Sequence, residues 1–188
     1  PIWFGGPAEC DLRHIPRGNI QVGGATFNVS DGALDCVAAP ADEAGVVIPL
    51  GRKVASLRFL HTTRLDPEHE TAFLEGFKKG ANWRGIPAGD YVIAYADGAS
   101  STCPILYANN TSRWELGERF PYAFRSCGNL LAATETMRKE NPDGRNICLY
   151  VAQWVNPRPG VVVRSIGLRG TAQATPVLFA ISGRAPRE

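Results

Sequence analysis

Tyr91-Val92-Ile93-Ala94-Tyr95-Ala96, then Asp97-Gly98, then Thr102-Cys103-Pro104-Ile105-Leu106-Tyr107 is the stretch that decides the fold class. The first run is β-branched and aromatic, the composition that suits a pleated, half-buried surface. Asp-Gly directly after it is a strong hairpin signal, because Gly accepts positive φ and Asp bonds its own backbone. The second run is the returning strand, and Pro104, with no N–H to give, places it at a sheet edge or at a strand start.

The same grammar extends in both directions. Downstream, Asn146–Val155 reads as a buried strand. Asn156-Pro157-Arg158-Pro159-Gly160 reads as a rigid turn, since two prolines fix φ and remove two donors. Val161–Leu168 and Pro176–Ile181 are the last expected strands. Upstream, Asn19–Val29 alternates polar and apolar residues on both sides of Gly23-Gly24, which suggests a bulge or tight bend. Ser30-Asp31-Gly32 is a turn. Gly45–Leu50 is a short β-branched run that Pro49 and Gly51 are expected to stop, and Val54–Thr62 is a further strand. Leu130–Lys139 fits helix or strand equally. A helix is expected to begin at Asp66-Pro67-Glu68, with Asp as N-cap, Pro at the first helical position and Glu in the first turn. Phe73 and Phe77, one turn apart, would face the core. Lys78-Lys79 and Gly80 suit its end. Strands at intervals of roughly ten residues, with one helix, argue for a sandwich or barrel.

The 188 residues suit one domain, residues 1–188, and the 20 Gly and 14 Pro fit many turns between short strands. A net charge of +2 argues against nucleic acid as main partner. The Arg residues after Arg158 alternate with apolar ones, as on solvated strand faces. No apolar run reaches the ~20 residues that span a bilayer. The chain begins Pro1-Ile2-Trp3 without a basic start or an apolar stretch, and is read as a piece excised from something larger. Five Cys form no CxxC pair, which argues against zinc; their odd number leaves at least one thiol free. Buried strand thiols are expected, with a disulfide between two of them left open.

Asp11-Leu12-Arg13 with Pro16 and Gly18, Gly24–Phe27 with Asp31, Ile48–Lys53 and Leu57–Thr62 occur in a suggestive order. Tyr95-Ala96-Asp97-Gly98, Trp114, and Trp154-Val155-Asn156-Pro157 with Pro159 follow. Together, over Asp11 to Ile181, this pattern resembles the galactose-binding-like β-sandwich modules attached to bacterial glycoside hydrolases. The resemblance implies an all-β jelly-roll sandwich, with the short helix in an inserted loop (Pro67–Trp83). It also implies a non-catalytic accessory domain of a polysaccharide-degrading enzyme. Its partners would be a polysaccharide or oligosaccharide and a neighbouring catalytic domain, and its setting secreted, periplasmic or at the cell surface. A structural calcium ion belongs to the same implication; Asp31, Asp35 and Asp42 are close in sequence but match no calcium loop. Such modules either bind sugar or only brace the catalytic domain, and both readings stay open.

The chemical candidates divide in the same way. Glycoside hydrolysis needs two facing carboxyls. Asp31, Asp66, Asp97 and Asp143 sit at turns or a helix start, where acidic residues have a structural reason to be. No GxSxG, HExxH or phosphate-loop pattern occurs. His61, in a strand, is expected to be a satisfied, partly buried histidine, His69 a solvated one, and Trp154 a core residue. Sugar recognition needs aromatic rings flanked by planar polar groups. Asn82-Trp83-Arg84 in a Gly-bounded loop is the leading ligand candidate. Trp114, with Asn109–Arg113 beside it, is a candidate for the same rim, although its place in the family-like pattern favours a core role; Tyr122 and Arg125 could line that rim as well. The N-x-S/T patterns at Asn28, Asn109 and Asn110 carry no weight in a bacterial module.

Overall fold

A computed structural model describes residues 16–30, 36–39, 41, 45–78, 85–112, 115–116, 135–140 and 146–187. Strands β1 (Gly18–Val22) and β2 (Ala25–Val29) form a hairpin by themselves. The larger sheet contains β3 (Val37–Ala38), β5 (Ser56–Leu65), β8 (Glu115–Leu116), β9 (Glu135–Glu140), β10 (Asn146–Val155) and β12 (Ala174–Arg184). Its order is β3-β12-β5-β10-β8, with β9 also along β10. The smaller sheet contains β4 (Val46–Arg52), β6 (Ile86–Tyr95), β7 (Ser100–Tyr107) and β11 (Val163–Gly170), in the order β4-β11-β6-β7. Every strand pairing is antiparallel. The chain passes repeatedly between the two sheets, as in a jelly roll, so an all-β sandwich, with one short helix among the described residues, is the observed architecture.

The space between the sheets holds the main core. Leu57 and Phe59 of β5, Trp154 of β10 and Leu178 of β12 face Tyr91, Ile93, Ile105, Ile166 and Leu168 of the smaller sheet. Phe59 and Tyr91 stack across the gap, ring centroids 3.8 Å apart and planes within 7°. A second apolar cluster lies on the outer face of the larger sheet. There the β1–β2 hairpin lays Val22, Phe27 and Val29 over Leu60, Leu149, Val151, Val177 and Phe179. Burying each such side chain contributes roughly 1.5–3 kcal/mol. The larger sheet is therefore covered on both faces, which is why β10 reads as a largely apolar run and why β5 is buried almost continuously from Leu57 to Thr63 rather than at alternate residues.

Turn chemistry sets the hairpins. Gly23 and Gly24, both at positive φ (61° and 65°), make the two-residue connection of β1 to β2, the tight bend of the two expected alternatives. The Arg58 guanidinium donates to the Gly23 carbonyl at 2.6 Å and to Gln153 at 3.1 Å, tying that bend to the sheet below. At Asp97-Gly98, Tyr95 N–H donates to the Ala99 carbonyl and Gly98 N–H to the Tyr95 carbonyl, closing the expected hairpin. Asp97 accepts from Ala99 N–H at 3.1 Å and grips the Arg158 guanidinium with both oxygens. Arg158 also lies 4.9 Å over the Tyr95 ring. Beside it, buried Asn156 donates to the Val54 carbonyl and accepts from the Tyr95 hydroxyl, both at 2.7 Å. The proline-flanked turn is thus stitched to both sheets.

Several expectations are met and some corrected. Asp66 caps α1 (Pro67–Lys78), its carboxylate accepting the Glu68 N–H at 3.0 Å. That bond holds the carboxyl below the usual range. The side chains of Phe73 and Phe77, and residues 79–80, lie outside what is described. Pro49 and Gly51 do not stop β4. This strand is an edge, where a missing N–H is harmless, and Gly51, at φ 66°, sits where β4 carries one residue more than β11 opposite. Leu130–Lys139, undecided between helix and strand, contains the start of β9, held extended by its pairing along Asn146–Val151 of β10. Pro104 lies in edge strand β7, as expected. Cys36 and Cys103 are free thiols.

Trp154 is a core residue, 5% exposed. Trp154→Ala is expected to cost about 3–5 kcal/mol, read as a lower denaturant midpoint with an unchanged slope. A loss under 1 kcal/mol would contradict its place in the core.

Candidate functional site

One end of the sandwich gathers at least one flank of each segment that carries a ligand candidate. The strand registers identify it as the end toward which β5 runs. Leu65 of β5, the start of α1, the start of β6 and the end of β7 all lie there. Leu116, before residues 117–134, pairs with Asn146 at the start of β10 on the same side. Gly85, after residues 79–84, packs so tightly that a Cβ on it would come within 2.6 Å of the Tyr107 carbonyl and 3.1 Å of Asn109; its φ is 84°. Only glycine fits there on both counts. The helix is tied to the same end by the Tyr107 hydroxyl, which donates to Glu70 at 3.0 Å.

Beneath these flanks lies a layer of buried polar groups. His61, Thr62, Thr63, Asn110, Thr111 and Ser112 are each at most 3% exposed. The side chains of His61, Thr62, Thr63, Asn110 and Thr111 are each matched with a hydrogen-bond partner, and Ser112 takes part through its backbone carbonyl. His61 points between the sheets. Its Nε2 lies 2.8 Å from the Asn110 carbonyl and its Nδ1 2.9 Å from the Tyr91 hydroxyl. A carbonyl only accepts, so Nε2 carries the proton and Nδ1 receives the Tyr91 O–H; the neighbours dictate the tautomer. Thr63 bonds Thr111 hydroxyl to hydroxyl at 2.9 Å, and the Thr62 hydroxyl donates to the Ser112 carbonyl at 2.8 Å.

Asn110 organises the turn after β7. Its side-chain amide donates to the Pro104 carbonyl at 2.9 Å and accepts the Leu106 N–H at 2.8 Å. Those two groups lie on one edge of β7, so a single side chain replaces the peptide group of a missing neighbour strand. The turn holds Ala108 at φ 63°, a left-handed conformation that costs a non-glycine residue about 1–2 kcal/mol. With both amide atoms engaged and the residue buried, Asn110 is closed to modification. Asn28, by contrast, is exposed and donates to Asn19 at 2.9 Å.

The titratable groups of this core are tuned for structure. Burial lowers the His61 pKa from 6.5 to about 4, opposed by the bond to Asn110. Burial, then the nearby Asp90 charge, pushes the Cys103 thiol up to about 12. A sealed neutral imidazole and a protonated thiol serve neither as base nor as nucleophile at neutral pH. His61 is satisfied, as expected, but fully rather than partly buried, because β5 is a central strand and the residue faces the opposite sheet.

Of the six sequence-derived ligand candidates, Asn82, Trp83, Arg84, Trp114, Tyr122 and Arg125 all lie outside the described residues, as do Asp31, Asp35 and Asp42. The described structure brings together the flanks of their loops. Among the described residues no three His, Cys, Asp or Glu side chains meet in a way that could hold a metal. The polar layer under the loops escaped sequence reading; its signal was Asn109-Asn110-Thr111-Ser112, small polar residues directly after an edge strand. No family model matches the chain, and no curated protein matches it either.

His61 makes stability pH-dependent. The unfolded histidine takes a proton near pH 6.5 and the folded one only near 4, so its contribution is complete above pH 6.5 and falls as the pH drops through that window. The expected loss by pH 4 is about 3 kcal/mol. Denaturant melts across pH 4–7 are expected to show a fall that is shallower in His61→Gln; identical slopes in both proteins would contradict the assignment.

Proposed function

We propose that this chain is a non-catalytic carbohydrate-binding module of a larger polysaccharide-degrading protein. The observation that supports the reading is the convergence of loop flanks. Residues 79–84, 113–114 and 117–134, which carry Trp83, Trp114 and the Tyr122–Arg125 pair, each have at least one flank at the same end of the sandwich. Aromatic rings against sugar C–H faces, with Asn and Arg on the hydroxyls, are the chemistry such a rim supplies. The buried layer below it supplies stiffness, which lowers the ordering cost of binding. A purely bracing module would be expected to present a contiguous apolar patch of several hundred Å². Among the described residues the strongly exposed large apolar side chains are Val47 and Val155, and they stand on different sheets.

Affinity gels and glycan arrays of plant, algal and host polysaccharides, run with and without calcium, test the proposal. Retention by at least one glycan is expected, weakened about tenfold or more in Trp83→Ala as an aromatic anchor is lost, with the melting temperature unchanged. Silence across the panel, or unfolding of Trp83→Ala, would overturn it.

A further inference from the structure

A cavity of about 380 Å³ opens where the two sheets part along their edges. On one wall is edge strand β4. On the other is β12 beyond Leu178, where β3, paired only at Val177 and Leu178, no longer covers it. The floor is the main core, at Leu57 and Ile166. Val37, Ile48, Leu50 and Ile181 pack against that core yet remain only half-buried, because the cavity is beside them. Its size falls within the range of small-molecule sites.

The polar groups are unevenly placed. Among the described residues, Asn28, Ser30, Cys36 and Arg52 are the side chains around it with a polar or thiol group, and Arg52 is the charged one. Arg52 is exposed and has no carboxylate partner among the described residues. Ile48, Leu50 and Arg52 lie along one strand, so the cavity runs from an apolar end to a cationic end over about 13 Å, the strand rise across those residues. That length matches a medium-length acyl chain, and the Arg52 guanidinium can offer two parallel N–H donors to a carboxylate.

We propose that this edge cavity binds an amphiphilic carboxylate of medium chain length, the tail along Ile48, Leu50 and Ile181 and the carboxylate on Arg52. It is separate from the loop end and does not depend on the sugar-binding reading. No bond is made or broken; the apolar tail leaves water and the carboxylate exchanges water for a charge-assisted pair.

Calorimetric titration of the full chain with decanoate and with decanol tests it. Saturable binding of decanoate is expected, weakened about tenfold in Arg52→Gln while decanol binding stays the same. Ile181→Trp, which fills the cavity, is expected to abolish both; methyl NMR of Ile48 gives a second readout, shifting on decanoate addition to the wild type. No saturable binding with a silent Ile48 methyl, as when a peptide segment already occupies the space, would overturn the proposal. Decanoate affinity unchanged in Arg52→Gln would overturn it equally.

Discussion

A buried imidazole between two sheets must have both ring nitrogens satisfied, and most of the loop end follows from how His61 meets that demand. Its Nδ1 accepts a hydrogen bond from the Tyr91 hydroxyl of the opposite sheet and its Nε2–H donates to the backbone of the turn after β7. One side chain therefore joins a central strand, the facing sheet and a turn that would otherwise depend on local bonds. The strained Ala108 and the strand-mimicking Asn110 are held in the same place. Replacing any partner leaves a buried polar atom unpaired, at about 1–3 kcal/mol each.

The opposite end repeats the strategy with other residues. Asn156 links Val54 to Tyr95, and the Asp97–Arg158 pair closes over the Tyr95 ring. Polar ties at both ends and an apolar middle hold the two sheets together, while the β1–β2 hairpin seals the outer face of the larger one. The loops at the His61 end are thereby carried on a stiff base, and variation in them leaves the core untouched. That is the usual division of labour between a sandwich and the loops that give it function.

Much of this was legible because it rests on local chemistry. Asp97-Gly98, the Asp66 cap and the apolar run Asn146–Val155 each declare themselves within a few residues, and each stands where its sequence places it. The remainder depends on partners distant in the chain. The two-residue strands β3 and β8 exist only as pairings to β12 and β10. The ambiguous segment after Leu130 becomes strand where β10 lies beside it. β4 passes through Pro49 and Gly51 because its outer edge has no partner strand among the described residues. The outer cluster under the hairpin was hidden, since a strand buried on both faces shows no alternation. The ligand candidates were chosen by composition alone, and the structure contributes only the common origin of their loops.

The most direct measurement is the protonation state of His61 itself. Long-range proton–nitrogen NMR correlations of the imidazole, followed from pH 7.5 to 4.5, report tautomer and titration together. The account predicts a neutral ring with the proton on Nε2 down to about pH 5.5 and protonation setting in only below it, its Nε2–H slow to exchange. A ring protonated on Nδ1 when neutral, or one titrating near pH 6.5, would show that His61 is not the sealed tie between the sheets.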